Sequence, residues 1–112
     1  MIAFPSDLFE AEIRRLAAER PDYVHNAACE YVNQYDGSGC CLLGQAFENI
    51  GIDLEPFADQ QLNGEAFDDL PDKLGWDVDP LVRDWAYKVQ DEQDSGTPWG
   101  EAVAIADGRE ID

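Results

Sequence analysis

Phe9, Ile13, Leu16 and Ala17 fall on one helical face, which predicts a first helix from about Ser6 to the residues before Pro21. Ser6 or Asp7 can cap it, and Glu10 stands three residues after Asp7, as a capping box requires. Arg14, Arg15 and Arg20 lie late in this helix and suit the negative end of its dipole. Pro21 disfavours helical geometry at Arg20 and ends the element. Residues 21–35 admit two readings. Val24, Ala28, Tyr31 and Tyr35 have a roughly helical spacing, whereas residues 29–33 read as a short strand. The turn Asp36-Gly37-Ser38-Gly39 fits both. We favour the strand, paired with residues entering the next helix.

Residues 41–50 predict a second helix, with Leu42 or Leu43, Ala46, Phe47 and Ile50 on its apolar face and Gly51 ending it. Residues 57–70 are polar, anchored by Leu62, Ala66, Phe67 and Leu70, with a short helix expected after Asn63 and stopped by Pro71. Asp79-Pro80 is a helix start, an aspartate cap followed by proline at the first position. Leu81, Val82, Trp85, Ala86 and Val89 form the buried stripe of that helix, and Gly96 ends it. Thr97-Pro98 opens the last helix, which turns Trp99, Ala102, Val103 and Ala106 inward, and the tail from Gly108 is expected to fray. The expected fold is mainly α: a compact four- to five-helix single domain over residues 1–112, with a short two-stranded hairpin around residues 29–41.

A chain of 112 residues suits one core. At 45% hydrophobic and 11% aromatic residues it is too apolar for a disordered acidic tail. No run of about 18 apolar residues predicts a membrane span. The segment MIAFPSDLFEAEIRR lacks the basic and apolar regions of a secretory signal. Three cysteines, Cys29, Cys40 and Cys41, suit reduced thiols in the cytoplasm better than a disulfide framework.

Charge changes the picture most. The formal net charge is −18, and between Pro21 and Asp72 there is no lysine or arginine but eleven carboxylates. Like charges repel, so this pattern opposes folding while aiding solubility. It argues against direct contact with nucleic acid or anionic membrane, both of which need basic side chains.

Candidate chemistry is sparse. Gly39-Cys40-Cys41 enters a helix, where a thiol pKa falls, but the usual base would be His25, which nothing fixes nearby. Buried, inert cysteines are the simpler reading, with Gly44 permitting close packing of the helix. Three cysteines and His25 match no familiar zinc spacing. Neither Asp77-Val78-Asp79-Pro80 nor Asp36-Gly37-Ser38-Gly39 completes a calcium loop. No cofactor or metal is therefore expected. Trp85 lies on an apolar stripe and Trp99 packs as a staple. Trp76, between Gly75 and Asp77, is the best candidate for an exposed aromatic anchor, against a core position.

The carboxylates support a sharper reading. Side chains three or four residues apart on a helix are about 5–6 Å apart, close to the phosphate repeat along a nucleic-acid strand. Glu65, Asp68, Asp69 and Asp72 have this spacing, and Glu48, Glu55 and Asp59 have it loosely across a turn. With Trp76, Asp77 and Asp79 they make the expected partner-binding surface.

Three stretches, Cys29-Glu30-Tyr31-Val32, Cys41-Leu42-Leu43-Gly44-Gln45-Ala46 closing at Gly51, and Gly96-Thr97-Pro98-Trp99-Gly100-Glu101-Ala102, share an order with known sequences. Over about residues 21–106 the chain resembles small actinobacterial and actinophage proteins with C-x-Y, C-[hydrophobic]-x-G-x-A and P-W-G-x-A motifs. The resemblance implies an intracellular helical module of phage type and carries over no catalytic residue.

The expected function is a non-catalytic acidic protein-binding module, a phage-type inhibitor or nucleic-acid mimic that blocks a basic, nucleic-acid-binding surface on a host protein. The alternatives are an ordinary helical domain with a halophile-like acidic surface and a small enzyme using Cys40 or Cys41.

Overall fold

In the computed structural model, which describes residues 2–25 and 30–108, the chain is mainly helical around one cluster of buried side chains. The elements are β1 (Ile2–Ala3), α1 (Ser6–Glu19), α2 (Leu42–Asn49), a 3-10 turn (Glu55–Ala58), α3 (Gln60–Asn63), α4 (Leu70–Leu74), β2 (Trp76–Asp77), α5 (Pro80–Asp94) and α6 (Trp99–Ala106). No described helix is long and apolar enough to cross a membrane. The expectations for Ala28 and Cys29, and for the tail beyond Gly108, lie outside the described residues.

The long helices follow the hydrophobic pattern. Phe9, Ile13, Leu16 and Ala17 are the buried face of α1. Leu42, Leu43, Ala46 and Phe47 are buried on α2, and Gly51 follows it at φ +84°. Asp79 caps α5 by accepting the Leu81 amide at 2.9 Å, with Pro80 in the first turn. Phe47 of α2 sits among aromatic rings: Phe9 stacks on it at 5.1 Å, Phe57 at 5.6 Å, and Trp76 meets it edge-on at 5.5 Å. Such pairs each contribute roughly 0.5–1.5 kcal/mol beyond the area they bury.

Several expectations are corrected. Leu81 leaves the buried stripe and is 82% exposed, while Val82 beside it in the first turn of α5 is buried. Ser6 does not cap α1. It is the first helical residue, and its hydroxyl accepts the Asp79 amide at 2.9 Å, tying the starts of α1 and α5 together. Glu10 closes no capping box and pairs instead with Arg14 at 2.9 Å. Pro71 does not stop a helix but stands in the first turn of α4, where its missing N–H leaves nothing unsatisfied. The short helix near Asn63 does not follow that residue but ends with it, Gly64 standing at the C-cap. Six α-helices, rather than four or five, are found among the described residues.

The parallel pairing of β1 with β2, Ile2 opposite Trp76 and Ala3 opposite Asp77, was not foreseen. Two-residue strands carry no periodicity to read. The favoured hairpin is present in reduced form. Val32 and Gly39 make one antiparallel bridge, flanked by Cys40 N–H to the Tyr31 carbonyl at 2.9 Å and Asn33 N–H to the Ser38 carbonyl at 2.8 Å. The hairpin rests directly on α2: a Cβ on Gly44 would lie 1.8 Å from the Tyr31 carbonyl oxygen.

Candidate acidic interface

Buried amides position the hairpin. Asn63 at the end of α3 clamps the Val32 peptide, accepting its N–H at 2.9 Å and donating to its carbonyl at 3.0 Å, as a neighbouring strand would. Gln90 on α5 accepts the Phe67 amide at 2.8 Å and donates to the Tyr31 hydroxyl at 2.7 Å, which itself donates to the Glu65 carbonyl at 2.7 Å. Gln93 accepts the Leu42 amide at 3.0 Å and so satisfies the first N–H of α2. Burial holds the Tyr31 phenol neutral, well above its ordinary pKa.

Around this frame the predicted carboxylates spread rather than converge. Glu48, Glu55, Asp59, Asp68, Asp69, Asp72, Asp77 and Asp79 are exposed, and Glu65 is half-buried. Several serve the fold itself. Asp59 accepts the Gln61 amide at 2.9 Å, Asp79 caps α5, and Glu48 accepts the Gly39 amide at 3.1 Å. Asp72 pairs with Arg83 at 2.9 Å, which holds its carboxyl below the ordinary range, and Glu65 faces Lys73 at 3.9 Å. The helical ladder of Glu65, Asp68, Asp69 and Asp72 is not formed, because only Asp72 lies on α4 and the others precede it outside any helix. Trp76 is not an exposed anchor: at 9% exposure it packs at 4.8 Å from Phe4, where β2 carries it inward.

A cavity of about 370 Å³ opens between α5 and the 30–31 and 63–66 segments. Tyr31, Asn63, Tyr87 and Gln90 line it, with the carboxylates of Glu30, Glu65, Asp91 and Asp94. Sequence reasoning missed all of these except Glu65. The readable signal was the stripe 87, 90, 91 and 94, which is one face of α5 beside its apolar stripe. Asp94 reaches solvent on one side. Desolvation on the other pushes its carboxyl above the ordinary value, an effect that nearby His25 opposes. Among the described residues, no group of three or more His, Cys, Asp or Glu side chains is placed to share a metal ion.

The cysteines differ from the expectation of reduced thiols. Cys40 is disulfide-bonded, while Cys41 is a free, buried thiol. Cys29 lies outside the described residues. The Cys41 sulfur caps α2, accepting the Gly44 amide at 3.3 Å, and burial raises its pKa to about 11. A helix N-terminus lowers a thiol pKa only where the thiolate is solvated. Here desolvation dominates, and Cys41 offers no thiolate at neutral pH.

No family model, curated protein or solved structure matches this chain.

Proposed function

We propose that this protein is a non-catalytic acidic binding module that occupies a basic surface of another protein, in the manner of a phage-type inhibitor or nucleic-acid mimic. One observation carries the reading: the described cations are already engaged within the chain. Arg14 holds Asp107 and Glu10, Arg15 holds Glu12 and Glu19, Lys73 faces Glu65, Arg83 holds Asp72 and Lys88 holds Asp84. Arg20 lies over the Tyr23 ring at 5.9 Å. The surface from Glu30 to Asp69 adds nine carboxylates and no basic side chain. That imbalance supports a cationic partner, bound fast and weakened by salt.

The nucleic-acid likeness in this proposal rests on charge density and not on a regular helical ladder. The phage-type origin rests on the sequence resemblance. The cytoplasm is the proposed compartment, a reducing one in which the Cys40 disulfide would open.

The test is capture of binding proteins on the immobilised chain, washed at rising salt, beside a variant with Glu65→Gln, Asp68→Asn, Asp69→Asn and Asp72→Asn. The expected result is one dominant basic, nucleic-acid-binding protein that salt releases and the variant fails to retain. Equal retention by a folded variant would remove the role of these carboxylates. Absence of a specific partner, with stability rising steeply in salt, would favour a halophile-like surface.

A further inference from the structure

We propose that the groove beside the 32–37 turn is the docking site of a basic peptide segment that places one apolar side chain in it. This rests on the acidic-module reading and gives it a location. The groove measures about 250 Å³, and its walls are Val32, Leu54, Phe57 and Ala58. That is smaller than the roughly 300–1,000 Å³ of a small-molecule site and suits a single side chain. Its floor is rigid. Phe57 and Val32 are core residues, Asn63 clamps the Val32 peptide, and the Gln34 side chain donates to the Phe57 carbonyl at 3.1 Å.

The rim selects the partner's charge. Glu55 lines the groove, and exposed Asp36, Asp53 and Asp59 adjoin its lining residues Gly37, Leu54 and Ala58 in the chain. No lysine or arginine lines it. An apolar side chain flanked by lysine or arginine satisfies both the walls and the rim. A second copy of the chain does not, because two bodies of formal charge −18 repel.

Tyr35, which lies in the chain between the groove residues Gln34 and Gly37, is 100% exposed on a turn that is already ordered. Asn33 accepts the Tyr35 amide at 2.8 Å, Asp36 accepts the Ser38 amide at 3.0 Å, and Gly37 donates to the Asn33 carbonyl at 2.8 Å. A tyrosine presented on an ordered turn offers contact area with little conformational entropy left to lose. Sequence reading had placed the aromatic anchor at Trp76; the exposed aromatic on this face is Tyr35.

The test uses the full chain and two synthetic peptides of lysine and arginine, one with a central leucine and one with alanine in its place. Affinities are read by fluorescence anisotropy at low and moderate salt, and the contact surface by amide chemical shifts. The leucine peptide should bind at least about tenfold more tightly, the ratio that burying a leucine side chain allows. Its shifts should centre on residues 32–37 and 54–58. Tyr35→Ala should weaken it, and Ala58→Lys should remove the preference for leucine, with circular dichroism unchanged in both. Equal, salt-sensitive binding of both peptides with shifts spread over the acidic surface would overturn the groove and leave the acidic-module reading standing. Binding of neither peptide at low salt would overturn both. Self-association in sedimentation, lost in Tyr35→Ala, would overturn the basic-peptide occupant in favour of a second copy.

Discussion

Gly44→Ala sets two physical effects against each other. Helix propensity alone predicts a gain of about 1 kcal/mol, because alanine replaces glycine within α2. The surroundings predict the opposite sign. The new Cβ would lie 1.8 Å from the Tyr31 carbonyl oxygen, 2.6 Å from its carbon and 2.9 Å from its Cα. All three are backbone atoms, so no rotamer change relieves the overlap and the hairpin must lift from the helix. Overpacking of this kind costs about 1–3 kcal/mol. Lifting also strains the Cys40–Tyr31 backbone hydrogen bond and the Asn63 clamp on Val32, each such bond contributing about 0.5–1.5 kcal/mol. After the propensity gain is subtracted, net destabilisation of about 1.5–6.5 kcal/mol is expected, the upper end applying if all three bonds are lost. Each kcal/mol lowers Tm by roughly 4–8 °C in a domain near this size. Urea unfolding followed by tryptophan fluorescence at fixed salt measures the change, and hydrogen exchange at the Val32 and Cys40 amides locates it. A midpoint equal to or above that of the parent protein would refute the reasoning, because propensity would then have outweighed the contact.

Gln90→Leu keeps the volume but orphans the buried Phe67 amide; it should cost about 1–3 kcal/mol in the same urea assay, whereas Gln34→Leu, an exposed partner of Phe57, should cost less. Cys41 should react with a thiol-specific reagent at neutral pH only as fast as the protein opens, and denaturant should release it to full reactivity; prompt labelling of the folded chain would contradict its burial. Asp94 has a folded pKa above its unfolded value, so its contribution to stability falls as pH rises through that interval. Asp94→Asn should therefore raise Tm at neutral pH, more than the exposed Asp69→Asn does, and the gain should vanish below the ordinary aspartate pKa of about 3.9; a gain no larger than that of Asp69→Asn would assign it to net charge alone.

The helices were legible wherever a long apolar stripe met a strong terminus, as in α1, α2 and α5. Reading failed where one residue type serves two purposes. Ser6 resembles a cap, but its hydroxyl is directed to the Asp79 amide, a contact 73 residues away in the chain. Pro71 resembles a stop yet begins α4. Trp76 looked free because it follows glycine, but the pairing of β2 with β1 carries it into the aromatic core, and that pairing depends on two residues at the far end of the chain. The acidic character of the surface was readable from composition alone. Its shape was not, since Asn63, Gln90 and Gln93 are polar letters with no apolar periodicity, and their hydrogen bonds set where the hairpin and its turn sit.

Two different kinds of interaction hold the two parts of this molecule. The helical side is laced by ions: Arg14 bridges α1 to Asp107 after α6, and Trp85 of α5 donates to the same carboxylate at 2.8 Å. The side built from residues 30–64 has no ion pair among its described residues. Its carboxylates accept backbone amides or face solvent, and neutral amides and aromatic burial fix it in place. Salt therefore weakens the first set of contacts and leaves the second largely intact, while relieving the repulsion along the acidic surface. That division gives an acidic face which can be neutralised, screened or covered by a cationic partner without removing the interactions that hold its shape.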